Sequence, residues 1–148
     1  MKHLVAFCIP FLVALQFSCK NDDPAVTDKE PPVITVEKPV MEASYTAGSQ
    51  ISFEAVIEDN QELAVYQIEI HDDHDGHSHG RMAASPFSYR KSFQLTGKKA
   101  TVTETIAIPA DAAPGEYHFI VTAIDKANNA TNFADGSTKE IHIEITEK

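Results

Sequence analysis

The chain has 148 residues, with 22 acidic and 12 basic side chains and a formal net charge of −10. This length fits a single domain, and the acidic balance argues against nucleic-acid binding, which requires a basic face. The two cysteines, Cys8 and Cys19, both lie in the first 19 residues, so no disulfide framework can hold the rest of the chain. We therefore expect a fold that is stabilised by buried apolar surface.

The first nineteen residues are predicted to be an export signal. A short basic start precedes an apolar run from Leu4 to Phe17, which is too short to span a bilayer and suits a secretory signal peptide. The following Ser18-Cys19 resembles a bacterial lipoprotein signal, although Gln16 stands where such signals prefer leucine. Residues 1–18 would then be removed and Cys19 lipidated. Ordinary secretion, with Cys19 as a free thiol, is the alternative.

Residues 19–32 are predicted to form the lipidated Cys19 and a flexible tether, because the segment is polar and contains proline. Its start, Lys-Asn-Asp-Asp at 20–23, resembles the surface-export signal of Bacteroidetes lipoproteins. We therefore expect a protein anchored to the outer membrane by its N-terminal lipid and exposed at the cell surface. The periplasmic face of the same membrane is the alternative.

Apolar and polar residues alternate along most of residues 33–148, and this period is typical of β-strands. Seven short strands separated by turn residues predict an immunoglobulin-like antiparallel β-sandwich. The segment Asp111–Phe119 resembles the tyrosine corner of that fold, in which the hydroxyl of Tyr117 would bond back to the backbone. The segments are 33–36, 51–59, 63–71, 87–95, 102–108, 116–125 and 141–145.

The loop after the third predicted strand, HDDHDGHSHG at 71–80, holds four of the seven histidines and three aspartates. Imidazole suits zinc, copper and nickel, and carboxylates can complete the coordination shell. Met82 follows and would suit copper(I). A solvated polar hairpin loop is the alternative. The predicted ligands are His71, His74, His77 and His79, with Asp73 or Asp75 as an auxiliary ligand. Metal binding should weaken below a pH of about 6.5, because protonated imidazole cannot bind metal.

Two other sets of polar residues enter the prediction. His118 should face outward at the start of the sixth strand, beside His71, and is a candidate accessory ligand. His142 should also face outward, and we interpret it as an ordinary surface histidine. At the other end, Asp59 and Asp125 lie in two adjoining loops that could hold calcium, but turn formation by Asp and Asn side chains is favoured.

The export signal, the sandwich and the histidine loop together resemble a family of small Bacteroidetes lipoproteins whose domain has no known function. That family carries a similar His-x-x-[His/Phe]-Asp-Gly-His-x-His segment. The resemblance covers about residues 30–148 and implies the fold and the surface location, but no activity. The matching residues are His71, His74, Asp75, Gly76, His77 and His79.

The leading functional hypothesis is an outer-membrane lipoprotein that captures or senses a divalent transition metal, with zinc ahead of copper or nickel. An outer-membrane transporter or another surface partner is the expected recipient of the captured metal. The alternative is a structural or adhesive immunoglobulin-like module that binds a protein or glycan without metal. An enzyme is not expected, because the sequence has no Ser-His-Asp signature, nucleophile elbow or paired-carboxylate motif. The residues do not specify the oligomeric state.

Overall fold

The computed structural model describes residues 27–73 and 85–148, which form eight β-strands. Within these ranges no helix is long and apolar enough to cross a membrane. The predicted all-β class is confirmed. The strands are β1 (Val33–Lys38), β2 (Ala43–Thr46), β3 (Gln50–Glu58), β4 (Leu63–Asp72), β5 (Tyr89–Gln94), β6 (Lys99–Ala107), β7 (Gly115–Asp125) and β8 (Lys139–Thr146).

The strands form two sheets, with orders β1-β3-β6 and β2-β8-β7-β4-β5. All pairings are antiparallel except that of β2 with β8. The predicted count of seven strands was one too low because it omitted β2. This strand has only four residues and lies at a sheet edge, where its side chains are exposed or half-buried, so it shows little hydrophobic pattern.

The core lies between the sheets, where every second side chain of the central strands is buried. Ile51, Phe53 and Ile57 of β3 face Phe119 and Val121 of β7, and each of these five is at most 1% exposed. The rings of Phe53 and Phe119 stack with their centroids 5.6 Å apart, so this pair joins the two sheets directly. The side chains that alternate with these buried residues along each strand point outward, so the outer face of the five-stranded sheet can carry polar groups.

The predicted tyrosine corner is confirmed at the start of β7. The hydroxyl of Tyr117 donates a hydrogen bond to the carbonyl of Ala113 at 2.7 Å and accepts one from the backbone N–H of Phe87 at 3.2 Å. Burial raises the pKa of this hydroxyl above its ordinary value. A bridge between Ser85 and Ala112 joins the same two segments. The end of β4, the start of β7 and the segment that leads into β5 therefore meet at one end of the sandwich, as the predicted topology requires.

Candidate metal centre

Three histidines lie side by side across the outer face of the five-stranded sheet. His71 of β4 pairs with His118 of β7, and His118 pairs with His142 of β8. The ring centroids are 5.4 Å apart in the first pair and 4.7 Å apart in the second. Side chains alternate between faces along a strand. Since the neighbouring Ile70 and Phe119 are buried in the core, the three imidazoles project to the outside. We call this group the histidine row.

Carboxylates surround His118, the central member of the row. Its Nδ1 lies 3.0 Å from Oε1 of Glu140, and its Nε2 lies 3.1 Å from Oδ1 of Asp73. The same Oε1 of Glu140 is 3.6 Å from Nε2 of His142. At the outer end of the row, Nδ1 of His71 is 3.6 Å from Oε1 of Glu69. The histidine row is therefore set in an anionic environment, which attracts cations.

Two ring nitrogens of the row are buried and lack hydrogen-bond partners among the described residues: Nε2 of His118 and Nδ1 of His71. Nε2 of His118 is close to Asp73 but does not make a hydrogen bond of normal geometry with it. A buried polar atom without a partner is costly, and in native proteins it calls for a specific explanation. A metal ion that binds to the free ring nitrogen would supply the missing partner.

Asp73, His118 and His142 each offer one ligand atom, and these three atoms lie within 4.8 Å of one another. Donor atoms around a tetrahedral zinc ion, each about 2.0–2.1 Å from the metal, are about 3.3 Å apart. Metal binding at this group would therefore draw the side chains together by roughly 1.5 Å at most. Rotation of exposed or half-buried side chains can provide such a movement without any change in the sheet.

The segment that follows Asp73 carries most of the predicted ligands, and His74, Asp75, His77 and His79 lie outside the described residues. The residues on either side of it are bonded to the sandwich. The backbone N–H of Asp73 donates to the carbonyl of Glu116 at 2.9 Å, and Ser85 bridges to Ala112. The segment therefore begins at the histidine row and returns to the same end of the sandwich.

The structure brings together some, but not all, of the predicted site residues. Asp73 and His118 are in contact, and His71 lies beside His118 as predicted, although it is not in the group of three that includes Asp73. His142 faces outward as predicted, but it is more than a surface histidine because it stacks on His118 and joins that group. Glu140 is a further residue of the site that the sequence pattern does not predict. Both omissions follow from the register of β8 on β7, which the alternation pattern does not specify.

The histidines of the chain are unevenly distributed along the sequence. His3 belongs to the predicted signal peptide. Of the remaining six, three form the histidine row, and the other three belong to the sequence segment 74–84. His71, His118 and His142 thus converge on one face of the sheet, although up to 71 positions separate them in the sequence.

Comparison with solved structures shows similarity in fold. The chain matches a DUF4466 family protein from Parabacteroides merdae with 12% identity and a TM-score of 0.52, over 78% of this chain and 44% of that one. It also matches the fibronectin(III)-like modules of Clostridium thermocellum CbhA with 14% identity and a TM-score of 0.45, over 78% and 47% of the two chains. The chain spans less than half the length of these proteins.

No curated protein matches the chain at a significant level. A family model described as a domain of unknown function matches residues 17–146. This range contains all eight strands, the histidine row and the segment 74–84. The chain therefore belongs to the DUF4625 family, a domain of unknown function.

Proposed function

We propose that this protein is an outer-membrane lipoprotein that binds a divalent transition metal, zinc ahead of copper or nickel, for capture or sensing. The observation that carries the proposal is the group formed by Asp73, His118 and His142, whose ligand atoms lie within 4.8 Å of one another. The unpartnered Nε2 of His118 supports it, because a buried ring nitrogen without a hydrogen-bond partner is available to a metal ion.

The donor set favours a borderline metal. Two imidazoles and one carboxylate are donors that zinc accepts, and a fourth ligand completes a tetrahedral shell. We assign the fourth position to His71 or to one of the histidines of the adjoining segment, His74, His77 and His79. Glu140 stands on the Nδ1 side of His118, where a carboxylate commonly orients a metal-binding imidazole.

We propose binding rather than catalysis. A catalytic zinc site needs an open coordination position, a general base and a cavity that shapes the substrate. The histidine row instead lies on the outer face of a sheet, where the side chain of His142 is 48% exposed. A centre of this kind suits exchange of the metal with the surroundings. A transporter in the outer membrane is the partner class that such capture would serve.

The membrane location in this proposal depends on the sequence signal. Residues 1–18 have the form of a lipoprotein signal peptide, and Cys19 is the position that would carry the lipid. Lipidation would hold an acidic domain at the membrane surface, where its net charge raises the local concentration of cations. Mass spectrometry of the exported protein tests this part directly, since lipid on Cys19 adds several hundred daltons or more.

The adhesive alternative has less support. A glycan-binding platform needs exposed aromatic side chains, and Phe87 is buried in the core while Phe93 stacks on Tyr66 with centroids 4.7 Å apart. Among the described residues, Phe133 is the large aromatic residue that is mostly exposed, with an exposed fraction of 59%. One phenylalanine makes a weak platform, so the metal centre is the better supported site.

The test is a calorimetric titration of the exported protein with zinc, nickel and copper(II) at pH 7.5 after removal of metals with a chelator. We expect micromolar or tighter binding of at least one metal. The double variant His118→Ala/His142→Ala should lose at least 100-fold in affinity, because two ligands are removed. Glu37→Gln is a matched control, since it removes an exposed charge from β1 of the other sheet.

A triple variant, His74→Ala/His77→Ala/His79→Ala, separates the row from the adjoining segment. Loss of binding in both the double and the triple variant would indicate one shared centre. Binding that survives the double variant but vanishes in the triple variant would place the site in the segment alone and contradict the proposed centre. Absence of metal binding by the unmodified protein would refute the proposal as a whole.

A further inference from the structure

The opposite end of the sandwich, where the chain enters β1, brings together three aspartates from separate segments. Asp28 precedes β1, Asp59 follows β3, and Asp125 is the last residue of β7. Each offers one carboxylate oxygen, and these three oxygens lie within 4.8 Å of one another. We call this group the aspartate cluster. It is distinct from the histidine row, since β7 carries His118 near its start and Asp125 at its end.

The aspartate cluster is buried to a degree that is unusual for acidic side chains. Asp28 is 8% exposed and Asp125 is 3% exposed, while Asp59 is half-buried. Carboxylates that share a partly buried site repel each other, and burial adds a desolvation cost. Such residues are seldom fully buried unless they are paired with a cation.

Nearby lysines do not neutralise the cluster. In the part of the chain that the structure describes, no lysine or arginine forms an ion pair with any of the three aspartates. The Nζ of Lys98 donates instead to the backbone carbonyl of Asn60, at 2.8 Å. Lys126 lines the same surface depression as Asp28 without pairing with it.

Hydrogen bonds account for four of the six carboxylate oxygens. Oδ1 of Asp28 accepts from Nδ2 of Asn60 at 3.0 Å and from the N–H of Glu30 at 3.1 Å. These bonds, that of Asn60 foremost, hold the pKa of Asp28 below its ordinary value, so the group is ionised. Both oxygens of Asp125 accept from Asn129, and Oδ1 of Asp59 accepts from the N–H of Gln61. The predicted turn formed by Asp125 and Asn129 is thereby confirmed.

Two oxygens remain: Oδ2 of Asp28 and Oδ2 of Asp59. Both are buried, and neither has a hydrogen-bond partner among the described residues. An ionised carboxylate oxygen that is removed from water without a partner costs several times more than a neutral group in the same place. Turn formation does not explain these atoms, because the turn bonds use the other oxygens. A bound cation would explain both.

We propose that the aspartate cluster binds a calcium ion that joins the segment before β1 to the loops after β3 and β7. An all-oxygen donor set selects a hard cation, and calcium accepts six to eight oxygens in an irregular arrangement. Oδ2 of Asp28 and Oδ2 of Asp59 are the first ligands. Water and the side chains of Gln61 and Glu62, which line the same depression, are available to complete the shell.

Magnesium fits this site less well. It requires near-ideal octahedral geometry and usually binds through one or two carboxylates with several waters retained. Three carboxylates from three separate segments instead make a flexible cage. A site of this type in an extracellular module binds calcium with a dissociation constant of about 0.1–1 mM. The sequence favours turn formation here, because Asp and Asn side chains commonly bond their own backbone in turns, and it assigns Asp28 to the predicted tether.

The test uses the exported protein, purified in mild detergent and treated with a chelator. Calorimetric titration with calcium chloride should give a dissociation constant of about 0.1–1 mM. The Tm should rise by about 5 °C when calcium is tenfold above that constant. Magnesium at the same concentration should raise the Tm by less than half as much.

Variants decide whether the effect belongs to the cluster. Asp28→Asn and Asp59→Asn should each weaken calcium binding at least tenfold, whereas Asp111→Asn, an exposed control, should leave it unchanged. Asp59→Asn carries the test if Asp28→Asn does not fold, because Asp59 is only half-buried. His118→Ala/His142→Ala should bind calcium like the unmodified protein, so failure of the zinc site and of the calcium site can be told apart.

Two results would overturn the proposal. The first is an unmodified protein whose Tm does not change in 10 mM calcium chloride. The second is a rise in Tm that is equal in Asp59→Asn and in the unmodified protein, since an effect of general ionic strength would not depend on that carboxylate.

Discussion

Nε2 of His118 lies 3.1 Å from Oδ1 of Asp73, although the two residues are 45 positions apart in the sequence. The contact forms because β4 and β7 are antiparallel neighbours, which brings the end of one strand beside the start of the other. Asp73 is also the last described residue before the histidine-bearing segment. This one contact therefore links the histidine row to the segment from which most predicted ligands come.

Glu140 should tune the affinity of the histidine row for zinc. Its Oε1 lies 3.0 Å from Nδ1 of His118, and a carboxylate in this position orients the ring and strengthens its basicity. Glu140→Gln should weaken zinc binding by about 10–100-fold without unfolding the domain. Glu37→Gln removes the same charge from the other sheet and should have little effect. Equal affinity of both variants in a competition titration would argue against a role for Glu140.

The contact between the two sheets should dominate the stability of the domain. Phe53 is 1% exposed and stacks on Phe119, so Phe53→Ala leaves a large cavity and should cost about 3–5 kcal/mol. Phe133→Ala, at a phenylalanine that is 59% exposed, should change the free energy of unfolding by less than about 0.5 kcal/mol. Urea denaturation measures both values. A cost below about 1 kcal/mol for Phe53→Ala would contradict the assigned core.

We expect the tyrosine corner to stabilise the fold through the hydrogen bonds of the Tyr117 hydroxyl. Tyr117→Phe keeps the ring but removes the bonds to Ala113 and Phe87, and it leaves the N–H of Phe87 without its partner. We expect a loss of about 1–3 kcal/mol in the free energy of unfolding. Tyr45→Phe is the control, since the hydroxyl of Tyr45 makes no hydrogen bond with any of the described residues. If both variants are equally stable, the corner is only a packing feature.

We expect the loop between β7 and β8 to make the stability of the domain decrease in acid. Hydrogen bonds from the side chain and backbone of Ser137, with a smaller contribution from Asn132, hold the pKa of Asp135 below its ordinary value. A carboxylate whose pKa is lower in the folded state stabilises the fold above its unfolded pKa. That stabilisation is lost as the pH falls through the folded value.

Asp135→Asn should therefore lower the Tm at neutral pH, where the carboxylate is ionised in both states. The difference between the variant and the unmodified protein should shrink as the pH falls below about 4 and should vanish when Asp135 is protonated in both states. Calorimetric scans from pH 7 to pH 2.5 measure this convergence. A difference in Tm that stays constant across this pH range would mean that the charge of Asp135 does not contribute to the stability of the loop.

The strands could be predicted because the alternation of apolar and polar residues is visible within each short segment. In β3, apolar residues stand at every second position from Ile51 through Phe53 to Ile57, and the hydrophobic effect assigns that face to the core. The tyrosine corner was predictable for the same reason, since Tyr117 and Ala113 are four residues apart. By contrast, β2 depends on its pairing with β8 and carries little pattern of its own.

The two candidate sites show the limit of local information. His118 could be placed beside His71 because the fold class specifies which strands are neighbours. His142 could not be assigned to the site, because alternation places it on the outer face, but a shift of β8 by two residues would keep it on that face and move it away from His118. Asp28 was missed because its place in the fold depends on long-range contacts, such as its hydrogen bond with Asn60, 32 positions later in the chain.

Strand β7 connects the two ends of the domain and sets the distance between them. His118 and Asp125 are seven positions apart on this strand, which corresponds to about 24 Å at about 3.4 Å per residue. This distance exceeds the Debye length of about 8 Å at physiological ionic strength, so an ion at one end is electrostatically screened from the other. Saturation of the histidine row with zinc should therefore leave the affinity of the aspartate cluster for calcium unchanged. Strand β7 thus keeps the histidine row apart from the aspartate cluster, which lies where the chain enters the fold.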